Sequence, residues 1–297
     1  MGIYSDAAPL TCAGYTASFS FEEQDARTFA GWGIDYLKYD YCNAPPDRET
    51  AKTRYKSISD ALTHSGRNIV LGICEWGGRQ PWLWGKSVGG SLWRIAGDIR
   101  DKWSAESDAP DVQKGGIGIM DAINANADIA QFAGDGGWND PDMLIVGLYG
   151  RKGPSGDLGG IGCTDVEYQS NMSLWCLMAA PLMVSCDVAN MNEATKRILT
   201  NKNILAIDQD KLGKQAVRKI NNNGWQVFVK PLENNETAIG ILNTAKNAEK
   251  FEIDLATLGL EGKYTTLNSW NKEVKKNQKK LSYTVASHET VVLRLSK

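Results

Sequence analysis

The run Asn68-Ile69-Val70-Leu71-Gly72-Ile73-Cys74 decides the fold. It has strand length, is almost wholly apolar, and is followed at once by the carboxylate of Glu75. A strand with one wet face alternates apolar and polar residues, whereas an unbroken apolar run belongs to a parallel strand covered on both faces. Upstream, Asp47 to Thr63 reads as an amphipathic helix and Ile34 to Asp40 as another β-prone strand. Phe21 to Ala30 has helical periodicity, with Ser20 as N-cap and Glu23 completing a capping box. Residues 2–6 read as the end of a further strand. Downstream, strands are predicted at Leu92 to Ala96, Met143 to Val146 and Leu182 to Ser185. Helices are predicted at Gly116 to Phe132, Asp165 to Ala179, Asn192 to Leu199 and Asn203 to Ile207. Strand and helix thus alternate over roughly the first 210 residues, which implies a parallel sheet, either a barrel or an open doubly wound sheet. No Gly-x-Gly-x-x-Gly follows a strand, which disfavours a dinucleotide fold. Asp6, Asp40, Glu75, Asp98, Asp142 and Asp187 each fall just after a strand. In a (β/α) barrel those ends converge on one mouth, so a TIM-type barrel is predicted for residues 1–213.

From about Gln215 the pattern changes to short alternating segments: Ala216 to Ile220, Trp225 to Lys230, Ala238 to Leu242, Phe251 to Leu255, Tyr264 to Asn268 and Thr290 to Leu295. Turns such as Asn221-Asn222-Asn223-Gly224 separate them. Residues 214–297 are therefore predicted to form an antiparallel β-sandwich. The lysine-rich run Lys272 to Lys280 is read as a solvated hairpin.

The chain has 297 residues, 42% hydrophobic and 23% charged, as an ordinary globular protein does. A net charge of −2 gives no electrostatic case for nucleic acid or an anionic membrane. The most apolar part, Leu174 to Val184, is about half a membrane span. Met1 is followed directly by Gly2-Ile3-Tyr4, a strand-like start without signal-peptide character. The six cysteines show no C-x-x-C spacing, and His64 and His288 read as surface residues, so no metal or cofactor is implied. Trp76, Trp82, Trp84, Trp93, Trp103 and Trp138 crowd one third of the chain. Their faces suit either a plain core or the apolar faces of sugars.

Tyr36-Leu37-Lys38-Tyr39-Asp40-Tyr41-Cys42-Asn43 places Lys38, Asp40 and Cys42 on one strand face. A lysine and an aspartate there are costly unless paired with each other or used. Glycoside hydrolysis needs two carboxyl groups across the scissile bond. Asp40 is the candidate nucleophile, with Lys38 expected to keep its pKa low. Asp98, in Trp93-Arg94-Ile95-Ala96-Gly97-Asp98, is the candidate acid/base, read as following a strand and preceding a helical turn. Asp142 is a third carboxyl. A helix cap is the competing use of each, and Asp101 and Asp140 read as caps or structural groups.

These motifs resemble the α-galactosidases of glycoside hydrolase family 27 (clan D), the melibiase type. The resemblance rests on Gly2-Ile3-Tyr4-Ser5-Asp6, Thr11-Cys12-Ala13-Gly14, Tyr36 to Asn43, Cys74-Glu75-Trp76-Gly77, Trp93-Arg94 with Gly97-Asp98-Ile99, Gly136 to Met143, Ala179-Ala180-Pro181-Leu182 and Ile207-Asp208-Gln209-Asp210. It implies a (β/α)8 barrel followed by a β-sandwich, and retaining hydrolysis of terminal α-D-galactosyl residues from galacto-oligosaccharides or galactomannan side chains. By motif position Asp40 resembles the nucleophile and Asp98 the acid/base. Tyr4, Lys38, Cys42, Glu75, Trp76, Arg94 and Asp142 resemble the sugar site. A bulky acidic residue at Glu75 leaves room for a 2-hydroxyl and favours galactose over N-acetylgalactosamine. Cys12 and Cys42 resemble a disulfide pair, which suits a secreted or periplasmic setting. Cys74, Cys163, Cys176 and Cys186 are expected to be unbridged, buried thiols.

Relative to the family pattern, Met1 falls at the third barrel strand, so the first two β/α units are absent and strands 3–8 remain. An open barrel implies completion by a second copy or by an N-terminal segment. The competing readings are a non-catalytic or incomplete galactoside-binding fragment, and a β-L-arabinopyranosidase of the same family.

Overall fold

The computed structural model describes residues 1–105, 116–151 and 161–297. They divide into two compact units, residues 1–97 with 136–140, and residues 98–135 with 141–297.

The first unit is built on a five-stranded sheet of β1 (Gly2–Asp6), β2 (Tyr36–Asp40), β3 (Val70–Ile73), β4 (Leu92–Arg94) and β5 (Trp138–Asp140). Every pair is parallel and the spatial order is β1-β2-β3-β4-β5. Strict sequential order without a reversal is barrel winding, not the winding of a dinucleotide fold. Helices α1 (Glu22–Gly31) and α2 (Arg48–His64) follow β1 and β2. On α2 the buried residues Ala51, Tyr55, Ile58 and Leu62 recur at helical spacing, forming one apolar stripe. Asp47 caps α2 by accepting from Thr50 N at 2.7 Å. The capping box expected at α1 is absent: Phe21 takes the N-cap position without a side-chain bond, and Ser20 sits at φ 69°. Ser20 thus lies before the N-cap, in a left-handed turn.

The second unit holds α3 (Ile119–Ala127), α4 (Asp165–Leu177), α5 (Glu193–Leu199) and α6 (Lys202–Asp208). The strands expected at Met143 to Val146 and Leu182 to Ser185 reduce to one parallel bridge, Leu144 with Val184. Helix α4 begins with a complete capping box, Glu167 Oε2 accepting from Thr164 N at 2.7 Å. It is buried almost all round from Ser170 to Leu177. His288 is packed rather than superficial: its ring stacks on Trp103 at 4.3 Å, and its Nδ1 lies 2.7 Å from Glu167 Oε1. His64 is exposed, beside Glu23.

The C-terminal strands are β6 (Val217–Asn222), β7 (Trp225–Leu232), β8 (Glu236–Asn243), β9 (Glu249–Asp254), β10 (Tyr264–Asn268), β11 (Val274–Gln278), β12 (Lys280–Val285) and β13 (Thr290–Ser296). They form an antiparallel six-stranded sheet, β11-β10-β13-β8-β7-β6, and a β12-β9 pair. Val227, Ile239, Ile241, Leu293 and Leu295 of the large sheet share one apolar cluster with Phe251, Leu281 and Val285 of the pair. Two sheets closed over one core make the predicted sandwich. The lysine run forms the second half of a hairpin and then leaves it: Lys272 lies in the turn after β10, Lys275 and Lys276 lie on β11, which pairs with β10, and Lys280 opens β12, which pairs with β9. No helix among the described residues is long and apolar enough to cross a membrane.

Candidate active site

The ends of β1, β2 and β3 gather the polar residues of the first unit. Asp6 and Asp40 are register partners on β1 and β2, buried at 0% and 5% exposure. Asp6 is tied down by backbone, accepting from Ala8 N and from Cys42 N, each at 3.0 Å. Asp40 Oδ1 accepts from Tyr41 N at 3.1 Å. Cys12 and Cys42 form a disulfide with Cα atoms 5.1 Å apart. Cys12 Sγ lies 3.7 Å from Asp40 Oδ2, and the Tyr4 phenol donates to that sulfur at 3.6 Å. The disulfide therefore bridges the loops after β1 and β2, directly beside Asp40. Cys74, Cys163 and Cys176 are outside any disulfide and buried, as expected; Cys186 is only half-buried.

Burial governs the electrostatics here. Removal from water raises Asp40 above the usual carboxylate range, and the nearby Lys38 only partly offsets it. The expectation that Lys38 would hold Asp40 low is thus reversed in sign. The Tyr41 amide, the Cys74 thiol and the Tyr4 phenol also favour the charged form of Asp40. Asp6 is pushed up to about 6 by burial, with the like charge of Asp40 adding to it. Tyr4 is raised by burial and by both aspartates. Lys38 Nζ sits 5.9 Å from the centre of the Tyr4 ring. Asp6, Cys12, Asp40 and Cys42 bring their ligand-type atoms within 4.8 Å of one another. With both sulfurs in the disulfide, only two carboxylates of that group remain to hold a cation.

The loop after β3 completes the cluster. Glu75 is 1% exposed and raised by burial. Its Oε2 accepts from Arg79 N at 2.8 Å and from Arg79 Nη1 at 3.0 Å. Trp76, half-buried, and Gly77 both take left-handed backbone, at φ 56° and 78°. A side chain at Gly77 would run into the carbonyl of Ile95, so this turn needs glycine. Arg94, at the end of β4, is buried, with Nη1 3.8 Å from Cys74 Sγ and Nη2 donating to Ala96 O at 3.3 Å.

Residues 1–210 match the family described as alpha galactosidase A, and residues 222–295 match the alpha galactosidase C-terminal beta sandwich domain. The chain belongs to the α-galactosidase (melibiase) family. Its partial barrel and its sandwich are the two architectures of that family. An alpha-galactosidase A of Cellvibrio japonicus is 37% identical, over 100% of this chain and 72% of that protein. A rice α-galactosidase is also 37% identical, over 97% of this chain and 63% of its own length. The crystal structure of α-galactosidase I from Mortierella vinacea superposes with a TM-score of 0.89 at 30% identity, covering 100% of this chain and 76% of that one. A β-L-arabinopyranosidase structure from Geobacillus stearothermophilus, at 21% identity and a TM-score of 0.80, shares the fold.

Tyr4, Lys38, Asp40, Cys42, Glu75, Trp76 and Arg94 thus belong to the first unit. Asp98 and Asp142 belong to the second. Asp98 is exposed, and its carbonyl accepts from Ile117 N at 2.9 Å. It precedes the bridge residue Ile99, not the helical turn expected there. Asp142 has φ 85°; its Oδ2 accepts from Ile99 N at 3.0 Å and its Oδ1 from Met143 N at 2.8 Å. Two residues of the cluster were not read as site residues from the sequence. The first is Asp6, whose strand-end position was the available signal. The second is Arg79, whose only signal is its place four residues after Glu75.

Proposed function

We propose that this chain carries out retaining hydrolysis of terminal α-D-galactosyl residues. Asp40 carries the reading: a buried carboxylate at a strand end, in contact with a phenol, a thiol and a disulfide sulfur. In the first step an Asp40 oxygen bonds to the anomeric carbon as the glycosidic bond breaks, and Asp98 gives its proton to the leaving oxygen. In the second step Asp98 takes a proton from water, the water oxygen bonds to the anomeric carbon, and Asp40 is released. Tyr4, Lys38, Cys42, Glu75, Trp76, Arg94 and Asp142 would bind the sugar. Within this proposal residues 1–213 are the catalytic domain and 214–297 its sandwich, and the disulfide suits an oxidising, secreted or periplasmic compartment.

Galacto-oligosaccharides and galactomannan side chains are the substrate classes proposed. A Saccharomyces cerevisiae α-galactosidase at 26% identity has been solved with raffinose, which supports the former. α-Galactosides are favoured over β-L-arabinopyranosides because the relatives at 37% identity are α-galactosidases. The test is hydrolysis of p-nitrophenyl α-D-galactoside by this chain and by any longer gene product that contains it. The first-formed anomer is read by proton NMR. Release of α-galactose first is expected. No hydrolysis, or β-galactose first, would overturn the proposal.

A further inference from the structure

The two oxygens of the Glu75 carboxylate are unequal. Oε2 takes both the main-chain and the guanidinium hydrogen of Arg79, at 2.8 and 3.0 Å. Oε1 is buried and accepts no hydrogen bond among the described residues. A buried carboxylate oxygen left without a partner is costly, so its retention asks for a reason.

Arg79 has further commitments that fix its side chain. Its Nε donates to Pro46 O at 3.0 Å, in the loop after β2. Its guanidinium lies 4.5 Å over the ring of Tyr41, the residue after Asp40. Tyr41 stacks in turn on Tyr55 at 5.7 Å, and the Tyr55 hydroxyl donates to Tyr39 O at 3.1 Å. The main-chain carbonyl of Arg79 accepts from Trp84 Nε1 at 2.9 Å. One arginine therefore touches the loop that carries Glu75 and the loop that follows Asp40. Its planar fork can do this; a lysine's point charge cannot hold the same three contacts.

We infer that Arg79 is a positioning residue, which locks Glu75 so that Oε1 alone is offered as the acceptor for one substrate hydroxyl, and which ties that oxygen to the Asp40 loop. The inference rests on the reading of Glu75 as a sugar contact. An ionised carboxylate only accepts hydrogen bonds, whereas a protonated one also donates. In its ionised form Glu75 therefore selects a hydroxyl that donates. Burial works against this, and Arg79 is the main opposing influence, with the Gly77 amide contributing less. Tyr41 and Tyr55, which both sense Glu75, are raised by burial and stay neutral.

The test compares Arg79→Met and Arg79→Lys with the wild type by two readouts. One is the carbon-13 NMR titration of the Glu75 carboxyl, its signal identified by loss in Glu75→Gln. The other is KM and kcat for p-nitrophenyl α-D-galactoside against pH. In Arg79→Met the Glu75 midpoint should rise by about one unit or more. Its KM should rise ~10-fold with kcat changed less, and climb further as pH falls. Arg79→Lys should restore the midpoint while KM stays about threefold above the wild type. A folded Arg79→Met with an unmoved midpoint overturns the inference, as does a fall in kcat at constant KM. Should Arg79→Met not fold, a wild-type KM in Arg79→Lys overturns it equally. If the wild type hydrolyses no α-galactoside, the hydrolase reading falls, and the NMR titration still decides whether Arg79 sets Glu75.

Discussion

Asp101 in the second unit and Asp40 in the first are both buried carboxylates, and they are treated in opposite ways. Asp101 is 0% exposed and accepts from Gly150 N at 2.7 Å, from Cys163 N at 3.2 Å, and from the Tyr168 hydroxyl at 2.8 and 2.9 Å to its two oxygens. Every one of those donors is local to that unit, and the carboxylate closes the knot. Asp40 has one backbone amide, softer contacts from a thiol and a phenol, and a sulfur at 3.7 Å. Glu75 goes further, with one oxygen saturated and the other bare. A saturated buried charge has no capacity left for a ligand and works for the fold. An under-satisfied one costs stability and is available for chemistry.

The sharpest way to break this contrast is Asp40→Asn. On the proposed function, hydrolysis should fall by at least ~10³-fold. Thermal unfolding should show no loss of stability, because an amide in that place carries no buried charge. A large drop in Tm would put Asp40 on the structural side with Asp101. The reciprocal change, Asp101→Ala, strands the Tyr168 hydroxyl and two amides. It should cost about 3 kcal/mol or more in chemical denaturation. KM for the galactoside should stay near the wild type in the protein that remains folded.

Gly77→Ala asks whether the loop holding Glu75 is as strained as its backbone suggests. Left-handed φ and the clash with Ile95 O should together destabilise by about 2 kcal/mol, measured by urea unfolding. Titration reads the same contrast through pH. Asp6 is raised from 3.8 to about 6, by burial first and with the like charge of Asp40 adding. Its folded form therefore binds the proton more tightly than the unfolded chain does. Its contribution to stability is full below the unfolded value and is lost as pH rises through about 6. Wild-type Tm should decline across that window, and Asp40→Asn should shrink the decline; an unchanged slope would contradict the coupling. The smallest effects concern helix caps. Asp47→Ala should cost about 1 kcal/mol, and Ser20→Ala nothing measurable by the same unfolding assay.

That last pair shows where sequence reading reaches and where it stops. Asp47 and Ser20 both precede helical periodicity, and only the backbone turn at Ser20 separates a cap from a bystander. The sheet was legible because apolar runs such as 68–74 report burial on both faces. Met143 to Val146 is apolar for the same reason, yet it pairs through a single bridge, since burial does not require a ladder. Asp40, Glu75 and Arg94 were legible as polar residues at strand ends. The sign of the Asp40 shift was not, because a neighbouring lysine is visible in a sequence and the depth of burial is not. Arg79 was missed because its partners Pro46, Tyr41 and Glu75 meet only after the loops fold.

Strand β11, Val274–Gln278, lies at one end of the six-stranded sheet, so among the described residues one row of its peptide groups has no neighbouring strand. Such an edge is a template on which a second chain can add itself. Lys275 and Lys276 fall on this strand, with Lys272 just before it and Lys279 and Lys280 just after. An incoming strand would have to displace these lysines, of which Lys275 pairs with Glu273 at 3.4 Å and Lys280 with Glu252 at 3.3 Å, and strip their water. A lysine-bearing edge of this kind disfavours edge-to-edge pairing between sandwiches.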